Sequence, residues 1–166
     1  MMNKNGLEIE RKFLIRFPDE EFLKGIEGCS RVEIDQTYLN DRRRIRRWCE
    51  NKKTTYIVTF KEKINELTRI EKESEISKAE YDSLMELSDK SRQTISKVRY
   101  RFPFDKKLIE IDIFDFWDDR AFLEVELLSE DEPFSIPPFI EVIKEVSFDK
   151  RYRNSALAAE IPFEEI

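Results

Sequence analysis

The chain has 166 residues, of which 40% are charged and 40% hydrophobic, with a formal net charge of −6. That length suits a single domain, residues 1–166, with a real core, and the acidic balance argues against a general binder of nucleic acid or membrane surfaces. With no histidine, three glycines and two cysteines, the chain cannot build Ser-His-Asp catalysis, a His-ligated metal site, a P-loop, a dinucleotide fingerprint or a disulfide framework.

In chain order, Met1 to Gly6 lack the apolar run of a signal peptide. No stretch approaches the roughly 20 apolar residues of a membrane span, so the expected setting is a reducing cytoplasm, with no membrane partner. Leu7 to Ile15 alternates as a strand, placing Glu8, Glu10 and Lys12 on one face with Ile9 and Phe13 on the other. Pro18 to Gly25 reads as a short helix with Asp19 near its cap and a glycine stop. Val32–Leu39, Arg42–Cys49 and Thr54–Lys63 read as strands, the last two joined by the turn Glu50 to Lys53, and Thr68–Ile76 as a fourth. Ser77-Lys78-Ala79-Glu80 is a capping box that opens a helix with Tyr81, Leu84 and Met85 on its apolar face. Ile95–Phe102, Lys107–Phe114 and Ala121–Leu128 are three further strands. In the tail, Pro137-Pro138 is expected to start a helix through about Val146, and Arg151 to Ala159 another. The fold class is α+β, mainly β: an antiparallel barrel with appended helices, favoured over a sandwich because the regular face is charged.

That face carries i, i+2 pairs on nearly every strand. They are Glu8/Glu10 with Lys12, Arg44/Arg46, Thr59/Lys61, Glu71/Glu73, Lys97/Arg99, Glu110/Asp112 and Glu124/Glu126. Any single pair is explained by the wet face of a sheet. The set is not, because the intervening residues Ile9, Ile45, Phe60, Val98, Ile111 and Val125 are apolar. The outer face is therefore expected to be covered and the charged face to be enclosed. Carboxylates suit hard cations such as Mg²⁺ or Mn²⁺, while Arg and Lys donate charge-assisted hydrogen bonds to phosphate oxygens. A metal with a polyphosphate satisfies both sets at once.

Glu8-x-Glu10-x-Lys12 resembles the ExExK signature of the CYTH proteins, the triphosphate tunnel metalloenzymes. Tyr38-Leu39, Arg44-Ile45-Arg46, Thr59-Phe60-Lys61, Arg69 to Glu73, Ile95 to Arg99, Glu110-Ile111-Asp112, Leu123 to Glu126 and Glu145 to Tyr152 resemble successive family motifs in the same order. ExExK alone is weak; the ordered set covers nearly the whole chain. The resemblance implies an eight-stranded antiparallel barrel forming a tunnel that holds a divalent metal and a triphosphate. By position it implies that Lys12, Arg44, Arg46, Lys61, Lys97, Arg99 and, on a C-terminal plug, Lys150 bind the phosphates. Glu8, Glu10, Glu71, Glu73, Asp112, Glu124 and Glu126 would hold metal, and Glu8, Glu10, Glu73 and Glu126 would carry catalysis. Glu110 reads as structural and Arg101 as a rim salt bridge.

Among family activities, the size matches the short bacterial inorganic triphosphatases, which implies Mg²⁺- or Mn²⁺-dependent cleavage of inorganic tripolyphosphate, or of another triphosphate, to diphosphate and phosphate. A class IV-type adenylate cyclase or a nucleoside or thiamine triphosphatase is the alternative, although the histidine that precedes ExExK in cyclases is absent. A non-catalytic polyphosphate-binding module is the second alternative, disfavoured by the many carboxylates. Trp48 follows the Arg strand directly, which favours packing at the barrel wall over stacking on a thiamine ring. Arg43 and Arg47 are expected outside, in surface salt bridges rather than on RNA, and Cys29 and Cys49 are ordinary thiols. A homodimer is left open.

Overall fold

The computed structural model describes residues 7–162 and 164–166; the reading of Met1 to Gly6 lies outside them. Alternating residues over β1 (Leu7–Arg16) start the sheet. Asp19 then accepts from the backbone N–H groups of Glu21 and Phe22 to cap α1 (Glu20–Lys24), which stops at Gly25. Strands β2 (Ser30–Tyr38), β3 (Arg43–Glu50), β4 (Lys53–Lys63) and β5 (Thr68–Ile76) follow as an antiparallel meander. Asn51 and Lys52 both hold positive φ, 50° and 65°, as a two-residue turn between right-twisted strands requires. The capping box of Ser77 and Glu80 opens α2 (Lys78–Met85), after which β6 (Ile95–Phe104), β7 (Lys107–Phe114) and β8 (Arg120–Glu126) complete the run.

The strands hydrogen-bond in the order β5-β4-β3-β2-β6-β7-β8-β1. β1 then pairs back onto β5, through Leu7–Ile70, Glu8–Arg69 and Ile9–Thr68, and closes an eight-stranded barrel. Closure leaves free edge only where the short β1–β5 pairing stops.

The tail departs from expectation. Pro137 and Ile140 form a single turn, and Val142–Glu145 is a ninth strand, β9, not a helix. Its residues pair with β1 at Phe13–Glu145, Leu14–Lys144 and Ile15–Val142, across a bulge. The β5 pairing to β1 ends at Ile9, so the edge of β1 beyond it offers unpaired backbone groups, and β-branched Val142 and Ile143 suit a strand there. The expected helix from Arg151 also shortens. A 3₁₀ turn at Lys150–Tyr152 is broken at extended Arg153 before α3 (Asn154–Leu157) begins.

Outside the barrel, Ile9, Tyr100, Ile109, Ile111, Leu123 and Val125 pack with Leu23 of α1 and with Phe134, Ile136 and Ile140. Tyr81 of α2 packs with Leu39 and Ile45, joined by Leu84 and Met85. Phe60 is 42% exposed, so the outer face of β4 is only partly covered. The inner face is not charged throughout. At one end Leu14, Ile95, Phe114 and Phe122 meet Val146, Tyr152 and Leu157, so the tail stoppers the barrel with an apolar cluster. The charged layer lies next to that stopper.

Candidate active site

Alternation carries the charged side chains inward in cross-strand pairs. Lys12 of β1 lies opposite Glu124 of β8, their charged atoms 3.1 Å apart, with the ammonium 4.2 Å from the centre of the Phe122 ring. Lys61 of β4 reaches Glu8 at 2.9 Å and Glu71 at 3.1 Å. Arg44 approaches Glu71 at 3.4 Å, and Arg46 pairs with Glu73. Arg99 donates through Nε and Nη2 to the two carboxylate oxygens of Asp112, at 2.7 and 2.8 Å, and also pairs with Glu110.

These residues border two adjoining cavities. The first is lined by Glu10, Lys12, Arg44, Thr59 and Lys61, by Tyr38, Arg42, Lys63, Glu66, Arg69 and Arg92, and by Val146, Tyr152, Arg153 and Asn154 from the tail. The second is lined by Glu8, Glu10, Glu71, Glu73, Glu110, Glu124 and Glu126 together with Arg44, Arg46, Lys61, Arg99 and Arg101. Glu10, Arg44, Lys61 and Asn154 border both, so the cavities meet at those side chains. Asn154 has a buried Oδ1 with no hydrogen-bond partner among the described residues.

The electrostatics mark the acidic cavity as a place for positive charge. Glu10 lies directly opposite Glu126, and Glu110 directly opposite Glu124, and like charges so placed repel. The Glu10 carboxyl is pushed up to about 8 by burial, then by Glu124 and Glu8. Among the described residues no three carboxylates converge on one point as a ready ion cage. The donor set is nonetheless all oxygen, as hard divalent ions require, and its internal repulsion is what such an ion relieves. The residues fit a divalent metal in kind.

Three of the residues expected at the site stand elsewhere. Asp112 is 1% exposed and borders neither cavity; it holds Lys97 at 2.6 Å and Arg99. Burial would raise Asp112, but Arg99 and Lys97 outweigh it and keep the carboxyl well below its usual range. Lys97 also borders neither cavity, and burial brings its ammonium down to about 8. Lys150 is exposed, in an outer surface depression with Glu145, Phe148, Asp149 and Arg151. Every other site residue expected from sequence borders at least one of the two cavities.

Arg69 pairs with Glu10 at 3.0 Å and joins the site beyond the expected set; its place on the face of Glu71 and Glu73 is the sequence signal for it. Arg92, Arg153 and Asn154 carried no periodic signal at all. Glu110 borders the acidic cavity, and Arg101 bridges to Glu50 at 3.2 Å. The guanidiniums of Arg46 and Arg101 lie 5.6 and 5.1 Å from the centre of the Trp48 ring, which also borders the acidic cavity. Arg43 and Arg47 pair outside with Asp41 and Asp35, and both cysteines are free.

Comparison with known proteins gives a consistent picture. The CYTH domain family model matches residues 6–136. An inorganic triphosphatase of Nitrosomonas europaea is 36% identical over 164 residues, which cover 93% of this chain and 99% of that one. The crystal structure of an inorganic triphosphatase superimposes with a TM-score of 0.59 at 33% identity, covering 94% of this chain and 97% of the other. A Pyrococcus furiosus protein shares the fold, with a TM-score of 0.52 at 21% identity over 75% and 80% of the two chains.

Proposed function

The chain belongs to the CYTH domain family, and from that premise we propose that it hydrolyses inorganic tripolyphosphate to diphosphate and phosphate inside the barrel, as a single domain spanning residues 1–166. The observation that carries this reading is the pairing of a base-rich cavity with an acid-rich one along a single lumen. The family implies a divalent metal, and Mg²⁺ or Mn²⁺ suits carboxylate donors from Glu8, Glu10, Glu71, Glu73, Glu124 and Glu126. When bound, such an ion neutralises phosphate oxygens and polarises the terminal phosphorus.

The side chains divide the remaining work. Lys12, Arg44, Arg46, Lys61, Arg69 and Arg99 hold phosphate oxygens, each exchanging a carboxylate partner for the substrate. Lys97 and Asp112 act one step back, fixing the guanidinium plane of Arg99. With no histidine in the chain, a carboxylate must orient the attacking water, and Glu8, Glu10, Glu73 and Glu126 border the acidic end where that water would stand. The leaving diphosphate then lies toward the basic cavity, whose cations stabilise the charge that develops on it.

The test is product analysis. Tripolyphosphate should give phosphate and diphosphate with kcat/KM well above that for ATP, and EDTA should abolish turnover until Mg²⁺ or Mn²⁺ is restored. Cyclic AMP and diphosphate as the main products from ATP would point instead to a cyclase on the same fold.

A further inference from the structure

β2 differs from its neighbours in the barrel. Among the described residues its inward row, Val32, Ile34, Gln36 and Tyr38, carries no ionised side chain, whereas β3 brings in Arg44 and Arg46 and β6 brings in Lys97 and Arg99. The acids of β2 point outward, Glu33 to Arg31 and Asp35 to Arg47. Gln36 is 0% exposed and stands directly opposite Arg46 on β3 and Ile95 on β6. Opposite residues of antiparallel strands hold their β-carbons about 5 Å apart, so the amide and the guanidinium stem share one space. Each brings an unpartnered atom to it. Gln36 Nε2 donates a long hydrogen bond to Tyr38 Oη at 3.5 Å, and its Oε1 is buried with no partner among the described residues. Arg46 donates through Nη2 to Glu73 and, at 3.5 Å, to Thr59, while its Nε is buried with no partner among the described residues. A buried acceptor and a buried donor left unmade each cost stability. Here they sit on facing positions, and a turn of the Arg46 side chain would join them.

We propose that Gln36 is a positioning residue for triphosphate hydrolysis, its Oε1 accepting the Nε–H of Arg46 when the guanidinium leaves Glu73 for a phosphate oxygen. This role rests on the triphosphatase reading of the site and adds to it a residue that carries no charge. Gln36 borders neither cavity, so it acts through Arg46 and does not touch the substrate. Neutrality is what suits it to the task. A carboxylate in its place would neutralise Arg46 as Glu73 does, and the substrate would have to displace that bridge as well. An amide oxygen fixes the plane of the guanidinium and leaves its charge to the phosphate. The exchange also frees Glu73, which borders the acidic cavity, from its partner. The unpartnered atoms of the empty barrel are thereby satisfied only when the lumen is filled.

The deciding experiment is a double-mutant cycle between Gln36→Met and Arg46→Lys, read by melting temperature and by tripolyphosphate kinetics with Mg²⁺. Gln36→Met keeps the length of the side chain and removes both polar atoms. Because that amide is poorly satisfied in the empty protein, the melting temperature should be unchanged or higher. KM should rise about tenfold or more with kcat within about threefold, as for a hydrogen bond to a charged group that forms on binding. Gln36→Glu should also raise KM, by holding Arg46 in a new bridge. In the Arg46→Lys background, where no Nε–H remains, adding Gln36→Met should change KM by less than about twofold. An unchanged KM in Gln36→Met overturns the proposal, as does a tenfold effect that persists in the Arg46→Lys background. A melting temperature lowered by more than a few degrees would mark the amide as a structural group and also overturn it. If the wild type does not cleave tripolyphosphate, the hydrolase reading falls. The positioning role is then decided by calorimetric affinity for tripolyphosphate with Mg²⁺, upheld if Gln36→Met weakens it tenfold and overturned otherwise.

Discussion

Lys97 and Lys61 are both inward-facing lysines with acidic partners, and they sit in different surroundings. Lys61 borders both cavities and bridges Glu8 and Glu71, so its ammonium is available to a ligand that displaces them. The Lys97 side chain is 2% exposed and locked to Asp112. Breaking a buried pair by removing one partner costs about 3–5 kcal/mol, because the remaining charge is stranded. Lys97→Met should therefore lower stability by roughly that amount, less whatever Arg99 recovers by holding Asp112 alone. Denaturant unfolding checks it. Lys61→Ala should instead leave the melting temperature within a few degrees and reduce kcat/KM for tripolyphosphate about a hundredfold, as for loss of a charge-assisted contact made in the transition state. Equal stability losses for the two variants would contradict this division. Sequence could not separate them, since periodicity reports the face of a strand and not the depth of a residue along it. The same limit explains Asp112, which alternates in step with the carboxylates that line the acidic cavity yet sits behind Arg99.

Strands were the legible elements, because period-two alternation survives wherever one face is buried. All eight barrel strands are read from the sequence to within a few residues, as are both capped helices. β9 was not legible: Pro137-Pro138 reads as a helix start, while the open edge of β1 that recruits Val142–Glu145 exists only in three dimensions. That strand is clipped to β1 by Arg11, which donates through Nη2 to Glu145 at 2.7 Å and also through Nε. The hydrogen bond from Arg11 lowers the Glu145 carboxyl below its usual 4.5. A lowered folded-state value means that the pair's stabilisation is complete above the unfolded value and is lost as pH falls through the folded one. The difference in unfolding free energy between wild type and Glu145→Gln should be constant above about pH 6 and shrink below about pH 4. A difference that instead grew on acidification would reverse the sign and remove the clip. The β3–β4 turn offers a test in the other direction. Lys52 sits at φ 65°, where glycine carries no steric penalty, so Lys52→Gly should stabilise the protein by about 0.5–1 kcal/mol in chemical denaturation.

At the scale of the whole molecule, the barrel encloses a layer of ionised groups between an apolar stopper and open solvent. A ligand that binds only the folded state stabilises it by about 2.7 kcal/mol at a hundredfold excess over its dissociation constant. Tripolyphosphate with Mg²⁺ should thus raise the melting temperature by several degrees, and orthophosphate with Mg²⁺ by much less. Equal shifts, read by differential scanning fluorimetry, would count against a lumen matched to a chain of phosphates. The bridges from Lys12 to Glu124, Lys61 to Glu8 and Arg46 to Glu73 bear on how the lumen fills. The lumen is its own internal salt, so filling it is a double exchange and not the occupation of a vacancy. A bare polyanion would win the lysines and arginines but leave the displaced carboxylates in a poorly solvated space without counter-charge. A bare cation would strand the bases in the same way. Only a pair of opposite ions replaces both halves of the internal salt at once, so the barrel selects its cargo by electroneutrality before shape is consulted.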